Sequence, residues 1–353
     1  MDITFLVGNG FDLSLGYKTS YMDFYQYYLD QPNNPKYDEA ISRLKKSIEK
    51  DRENELENWS DFEIGLGRCS RLFSSKEAND FVDASSNAFK NMIDYLSELP
   101  RNNSIDAISE KQWDIIRKKL CNFHTGAREQ DRRGFSRLKQ DEQDHGWEAR
   151  FHFISFNYTN FLDEYIEKIA QKPLETWKRG SEERKHILEP NVFHVHGTLN
   201  DYPIVGVSNE EQILNHDLLA SDYLRQTLIK SNSIKEIRSP RYDEVKMTIN
   251  KSRIVCLWGL SLGQSDKHCW DYINRWLRDD PNRSVFIFEY SDDPPDPTLV
   301  PDYYQKRRKV AYRLLDHSNF TKEEKEGLLS RIYVVFNTKD VLVFPSNDTS
   351  ATQ

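Results

Sequence analysis

The sequence predicts an α/β fold: a parallel sheet with helices on both faces, and a large all-helical insertion after the first strand and helix. Runs that are apolar almost throughout recur along the chain, among them Ile3–Val7, Phe151–Phe156 and Arg253–Trp258. A strand covered on both faces has this character, whereas a half-exposed strand alternates. The segments between these runs carry apolar residues at three- and four-residue steps, the period of a helix. The first run also breaks abruptly at Gly8-Asn9-Gly10-Phe11-Asp12, as a buried strand does where it enters a tight turn.

After that turn, Thr19 or Ser20 caps a helix whose body is Tyr21–Leu29. Residues 31–37 hold two prolines and two asparagines and read as a loop. From Asp38 to about His124 the pattern is helical, with Ile41, Leu44 and Ile48, then Phe81, Phe89 and Met92, then Trp113, Ile116 and Leu120. Within it, Ser60 or Asp61 reads as a helix cap, and Glu63 is a candidate to reach toward the glycine turn. Thr125–Trp147 is rich in charge and reads as a loop or hinge. Further strands are expected at Phe151–Phe156, Val192–Gly197, Ile204–Val207, Arg253–Trp258, Ser284–Phe288 and Ile332–Phe336, with helices between them. The expected domains are residues 1–37 with 148–345 as the α/β unit, 38–147 as the helical insertion, and 346–353 as a tail.

With 49 basic and 57 acidic residues, the net charge is -8. That balance disfavours non-specific nucleic-acid binding, which needs clustered Lys and Arg in excess. The basic run Lys306-Arg307-Arg308-Lys309 reads as a solvated helix face. No run is long and apolar enough to span a membrane and no leader pattern is evident, so a soluble, cytoplasmic protein is expected. The cysteines Cys69, Cys121, Cys256 and Cys269 form no CxxC pair, which suits free thiols in a reducing compartment.

Ligands of parallel sheets bind beyond the carboxyl ends of the strands. Four such ends carry polar residues: Gly8–Asp12, Phe156-Asn157-Tyr158-Thr159, His194-Val195-His196-Gly197, and Gly259-Leu260-Ser261 with Asp266. Strand, glycine turn and helix aim backbone N–H groups at an anion, and Gly8 and Gly10 lack the Cβ that would keep a diphosphate away. The turn is not the hydride-transfer fingerprint, because Leu13 stands where a third glycine belongs. His194 and His196 alternate on one strand and share a face. They could pair on a metal, but no third ligand follows by spacing, and no metal is expected.

These pieces, with Thr19-Ser20-Tyr21 and Phe24, resemble the AbiH family, the abortive-infection proteins of bacterial anti-phage defence. Leu260 departs from the histidine common at that place in the family. More distantly the landmarks look like the sirtuin-like NAD-binding fold, a Rossmann-like sheet. That likeness implies NAD as ligand or substrate, bound by Gly8, Asn9, Gly10, Phe11, Thr159, Gly259, Ser261 and Asp266. It further implies that Asn157 orients the attacking oxygen and His196 is the base, with Asp12 beside them. Thr159 stands where such hydrolases usually carry aspartate, and the absence of CxxC disfavours a deacylase. The expected function is abortive-infection defence through binding of NAD or a related nucleotide and hydrolysis of its nicotinamide–ribose bond. The helical insertion would cover the cleft or form a homo-oligomer contact, and a phage-derived trigger would switch the protein on. The alternatives are an RNA-directed nuclease using His194 and His196, and a non-catalytic nucleotide- or phage-sensing module.

Overall fold

A computed structural model describes residues 1–53, 62–100, 105–106, 108–127, 148–337 and 342. The expected cap at Ser60 or Asp61, most of the charged stretch 125–147 and the tail 346–353 lie outside these residues. The strands are β1 (Asp2–Val7), β2 (Arg150–Ser155), β3 (Glu175–Arg179), β4 (Glu182–His194), β5 (Ser252–Trp258), β6 (Ser284–Glu289) and β7 (Ile332–Phe336). They form one sheet in the order β3-β4-β2-β1-β5-β6-β7. All neighbours run parallel except β3 and β4.

Numbered along the chain, the six parallel strands lie in the order 3-2-1-4-5-6, the Rossmann arrangement. The order reverses between β1 and β5, and the glycine turn sits at that reversal.

The strands are apolar on both faces because two layers of helices cover them. Ile3, Phe5 and Val7 belong to one core with Phe151, Phe153 and the helices Glu110–Cys121 and Phe161–Ala170. Phe5 stacks on Phe153 at 5.3 Å and receives Phe123 edge-on at 5.5 Å. Leu6 faces the opposite core with Ile154, Val255, Leu257 and the helices Arg241–Lys251, Lys267–Asp279 and Val300–Leu315.

Between 38 and 127 every described element is helical. These helices divide, however. Tyr21–Asp30, Asp38–Glu53, Phe62–Cys69 and Ala78–Ser97 enclose a third core, shared with Val205–Ile229. Helix Glu110–Cys121 packs on the sheet instead.

Two local expectations need correction. Ile204–Val207 is not a strand: its one β contact is a bridge from Val207 to Ile229, and Val205 and Val207 are buried in the core of the helical lobe. Val192–Gly197 is not a short strand of its own. It is the end of the thirteen-residue β4, which pairs antiparallel with β3 as a charged hairpin and stops at His194. Among the described residues no helix is long and apolar enough to cross a membrane.

Candidate functional site

The glycine turn is packed against the end of β5. Gly8 N–H donates to Trp258 O at 3.0 Å, Gly10 N–H to Gly259 O at 2.9 Å, and Phe11 N–H to Gly8 O at 3.0 Å. A Cβ on Gly8 would meet Gly259 O and the Leu260 side chain at 2.6 Å, and one on Gly10 would meet Gly259 Cα at 2.6 Å. The room left by the missing side chains is therefore filled by Gly259 and Leu260, and Gly259 itself needs a left-handed φ of 64°. Asn9 Nδ2 donates to Thr19 O at 2.8 Å and ties the turn to the next loop. Phe11 is core, edge-on to Tyr165 and Trp258.

Asp12 gathers two of the other sequence-derived residues. Asn157 Nδ2 donates to its Oδ1 at 2.9 Å and Thr159 Oγ1 to its Oδ2 at 2.5 Å. Asn157 also donates to Gly8 O at 3.3 Å, so the end of β2 is pinned to the turn. Burial raises the Asp12 carboxyl to about 6, against these two hydrogen bonds, which pull it down.

His194 Nδ1–H donates to Asn157 O at 3.1 Å, and His194 Nε2 lies 2.9 Å from Asp163 Oδ2. It braces the strand end that carries Asn157.

His196 lies two residues beyond the last β4 residue paired with β2, as Asn157 does on its own strand. Its side chain turns elsewhere, edge-on to Phe156 at 5.6 Å and toward Tyr158 at 6.3 Å. Its Nε2 is 2.9 Å from Asp266 Oδ1. The contact lies off the ring's N–H direction, and both ring nitrogens are buried without an aligned hydrogen bond among the described residues. His194 and His196 are thus held by different carboxylates, because β4 ends before its alternation could carry both to one face.

Asp266 is also bound by Lys230 Nζ at 2.9 Å, and Lys230 by Glu63 Oε2 at 2.7 Å. Burial alone would lower the Lys230 ammonium, but Asp266 and Glu63 more than offset this and hold it charged. Burial would raise the Asp266 carboxyl, yet Lys230 and His196 bring it well below the usual range. Lys230 carries no sequence signal: it is one lysine in a polar helical stretch, and only the packing of the helical lobe reveals it.

Ser261 is exposed. Nearby, burial lowers His268 to about 4, and its Nδ1 lies 3.1 Å from Ser208 Oγ. His268 and Cys269 help line a small apolar cavity of about 30 Å³ with Leu6, Phe156 and Tyr242.

The basic run is largely consumed by structure, with Lys306 on Asp293 at 2.8 Å, Arg307 on Ile332 O at 2.7 Å and Arg308 on Glu326 at 2.8 Å. Cys121, Glu175 and His186 sit at ligand-like spacing. Ala149 N–H donates to His186 Nδ1 at 3.0 Å, which puts the proton of the neutral ring on Nε2. The nitrogen nearer Glu175, at 3.7 Å, therefore has no lone pair to give a metal.

Fold and site together define a Rossmann-type α/β protein with a buried ionic centre beside the reversal of its strand order. The family model described as bacteriophage abortive infection AbiH matches residues 4–288, and the chain belongs to that family, with a role in anti-phage abortive infection. No curated protein matches the sequence.

Proposed function

We propose that this AbiH protein acts in abortive infection by binding NAD or a related nucleotide at the carboxyl edge of its sheet and hydrolysing the nicotinamide–ribose bond, in the manner of sirtuin-like hydrolases. The observation that carries this reading is the pairing of β2 with β4. In that register, Ser155 opposite His194, Asn157 and His196 leave adjacent strands at equivalent positions, on the carboxyl edge one and two strands from β1, where the strand order reverses.

The chemistry needs few groups. The C–N bond breaks with its electron pair going to the pyridinium nitrogen, so nicotinamide leaves neutral and needs no strong acid. Water attacks the oxocarbenium-like carbon, and its proton passes to His196. Asn157, whose amide hydrogens are taken by Asp12 and Gly8 O, orients that water by accepting from it at Oδ1. In the conformation described here the Gly8, Gly10 and Phe11 amides are bonded within the protein, so nucleotide entry requires Gly259 and Leu260 to part from Gly8 and Gly10. A closed resting state suits an effector that must stay silent until infection. The nuclease reading has less behind it, since the two histidines are braced apart.

Purified protein incubated with NAD, with and without lysate from phage-infected cells, is expected to release nicotinamide. His196→Ala is expected to lower the rate by about 100-fold or more. No release under either condition would end the hydrolase reading.

A further inference from the structure

Four ionisable side chains from separate segments meet: the buried Glu63 in the helical lobe, Lys230 at the start of helix Lys230–Glu236 and His196 beyond β4, and the partly buried Asp266 beyond β5. Lys230 is 1% exposed and Glu63 3%. An ammonium so placed is tolerated only where its charge is met, and Lys230 meets two carboxylates at 2.7 and 2.9 Å. Glu63 is itself held by Gly206 N–H at 3.2 Å. The Asp266 oxygen that binds Lys230 is the one lying 2.9 Å from His196 Nε2.

Resting on the hydrolase reading above, we infer that Lys230 and Glu63 are positioning residues for His196: they fix Asp266, Asp266 fixes the imidazole proton on Nε2, and Nδ1 is the atom that accepts the proton. An unprotonated, electron-rich Nε2 would sit 2.9 Å from an anionic carboxylate oxygen, a repulsive contact even though the oxygen lies off the nitrogen's lone-pair axis. A proton there turns the repulsion into attraction, even with the contact off the N–H axis. In the neutral ring this leaves Nδ1 as the acceptor. Nδ1 is buried and has no hydrogen-bond partner among the described residues, an unfavourable state for an acceptor unless a ligand brings the donor. A water or a ribose hydroxyl is the donor that the proposed reaction supplies. Because Asp266 touches both Lys230 and His196 through one oxygen, loss of the ammonium frees the carboxylate to turn away and release the ring.

The test compares wild type, Lys230→Met, Lys230→Arg and the pair Glu63→Gln with Lys230→Met. The imidazole nitrogen shifts of ¹⁵N-histidine-labelled protein are recorded on the basic side of the imidazole titration, with His196→Gln giving the assignment. Nicotinamide release from NAD is measured on the same samples. Wild type is expected to show the Nε2–H tautomer. Lys230→Met is expected to show mixed tautomers and a kcat lower by about 100-fold, with KM within about threefold. Lys230→Arg is expected to restore most of both. The double variant removes the ion pair as a unit, avoids a buried unpaired carboxylate at position 63, and is expected to fold and show the same loss. An Nδ1–H tautomer in wild type overturns the inference whatever the variants do. Wild-type tautomer and rate in Lys230→Met or the double variant would overturn it equally. A wild type that releases no nicotinamide would instead end the hydrolase reading, while the tautomer comparison still decides whether Lys230 positions His196.

Discussion

At Asp12, burial and hydrogen bonding compete within a single side chain. Burial takes the carboxyl from 3.8 to about 6, although Thr159 and Asn157 both favour the ionised form. The native state therefore holds this proton more tightly than the unfolded chain does. Below the lower value the group is protonated in both states, and above the upper value it is ionised in both; between them stability falls as pH rises. A rise of this size corresponds to about 3 kcal/mol for a carboxyl this buried. The urea midpoint is accordingly expected to drop between pH 4 and pH 6, and Asp12→Asn is expected to abolish that slope. Glu77 and Glu326, held from 4.5 down to about 2 by Arg43 and Arg308, act with the opposite sign and mostly below this window: their contribution is lost as pH falls. An identical slope in wild type and Asp12→Asn would show that another group is responsible.

Among elements, the docking of helix Glu110–Cys121 onto helix Phe161–Ala170 turns on one buried cation. Arg117 Nε donates to Ile169 O at 3.0 Å and Nη2 to Lys168 O at 3.1 Å, satisfying carbonyls at the end of the second helix. Its Nη1 meets Glu110 and Asp114, each at 2.8 Å. Arg117→Ala strands those carbonyls beneath the helix and is expected to cost about 3 kcal/mol in urea unfolding. A cost under about 1 kcal/mol would mean that the helices are held by their apolar faces alone. Neither this brace nor Lys230 was legible in the sequence, because a charged residue in a helical pattern reads as a solvated one. The central strands were legible, since a strand covered by two helical layers must be apolar on both faces and stands out from everything around it. The hairpin of β3 and β4 was not: Trp177–Lys185 is charged and mostly exposed, and its one turn signal is Gly180 at a φ of 62°. Ile204–Val207 misled for the converse reason, being apolar to fill the helical lobe and not to join the sheet. At the site, the strand ends pointed to Asp12, Asn157 and Thr159, which meet. The side-chain directions that separate His196 from them depend on where β4 stops.

At the scale of the whole molecule, the proposed nucleotide site lies on a sheet edge that is closed in this conformation. The strand order opens the way to a cleft between β1 and β5, and in this conformation Leu260 and Gly259 seal it against Gly8 and Gly10. If nucleotide binds there, the apparent affinity is the intrinsic affinity scaled by the population of the open form. The Leu260 side chain is half-buried and packed on the core that includes Leu6 and Trp270, and in the proposed opening it leaves that packing. Truncating a partly buried leucine to alanine removes about 1–2 kcal/mol of such packing. Leu260→Ala is therefore expected to tighten NAD binding by about tenfold in calorimetry, with the fold otherwise retained. Gly10 amide exchange should also quicken, because its acceptor is Gly259 O, on the segment whose movement is proposed. Weaker binding in Leu260→Ala would instead make this side chain part of the nucleotide contact. Unchanged binding with unchanged exchange would place the cleft elsewhere on the molecule.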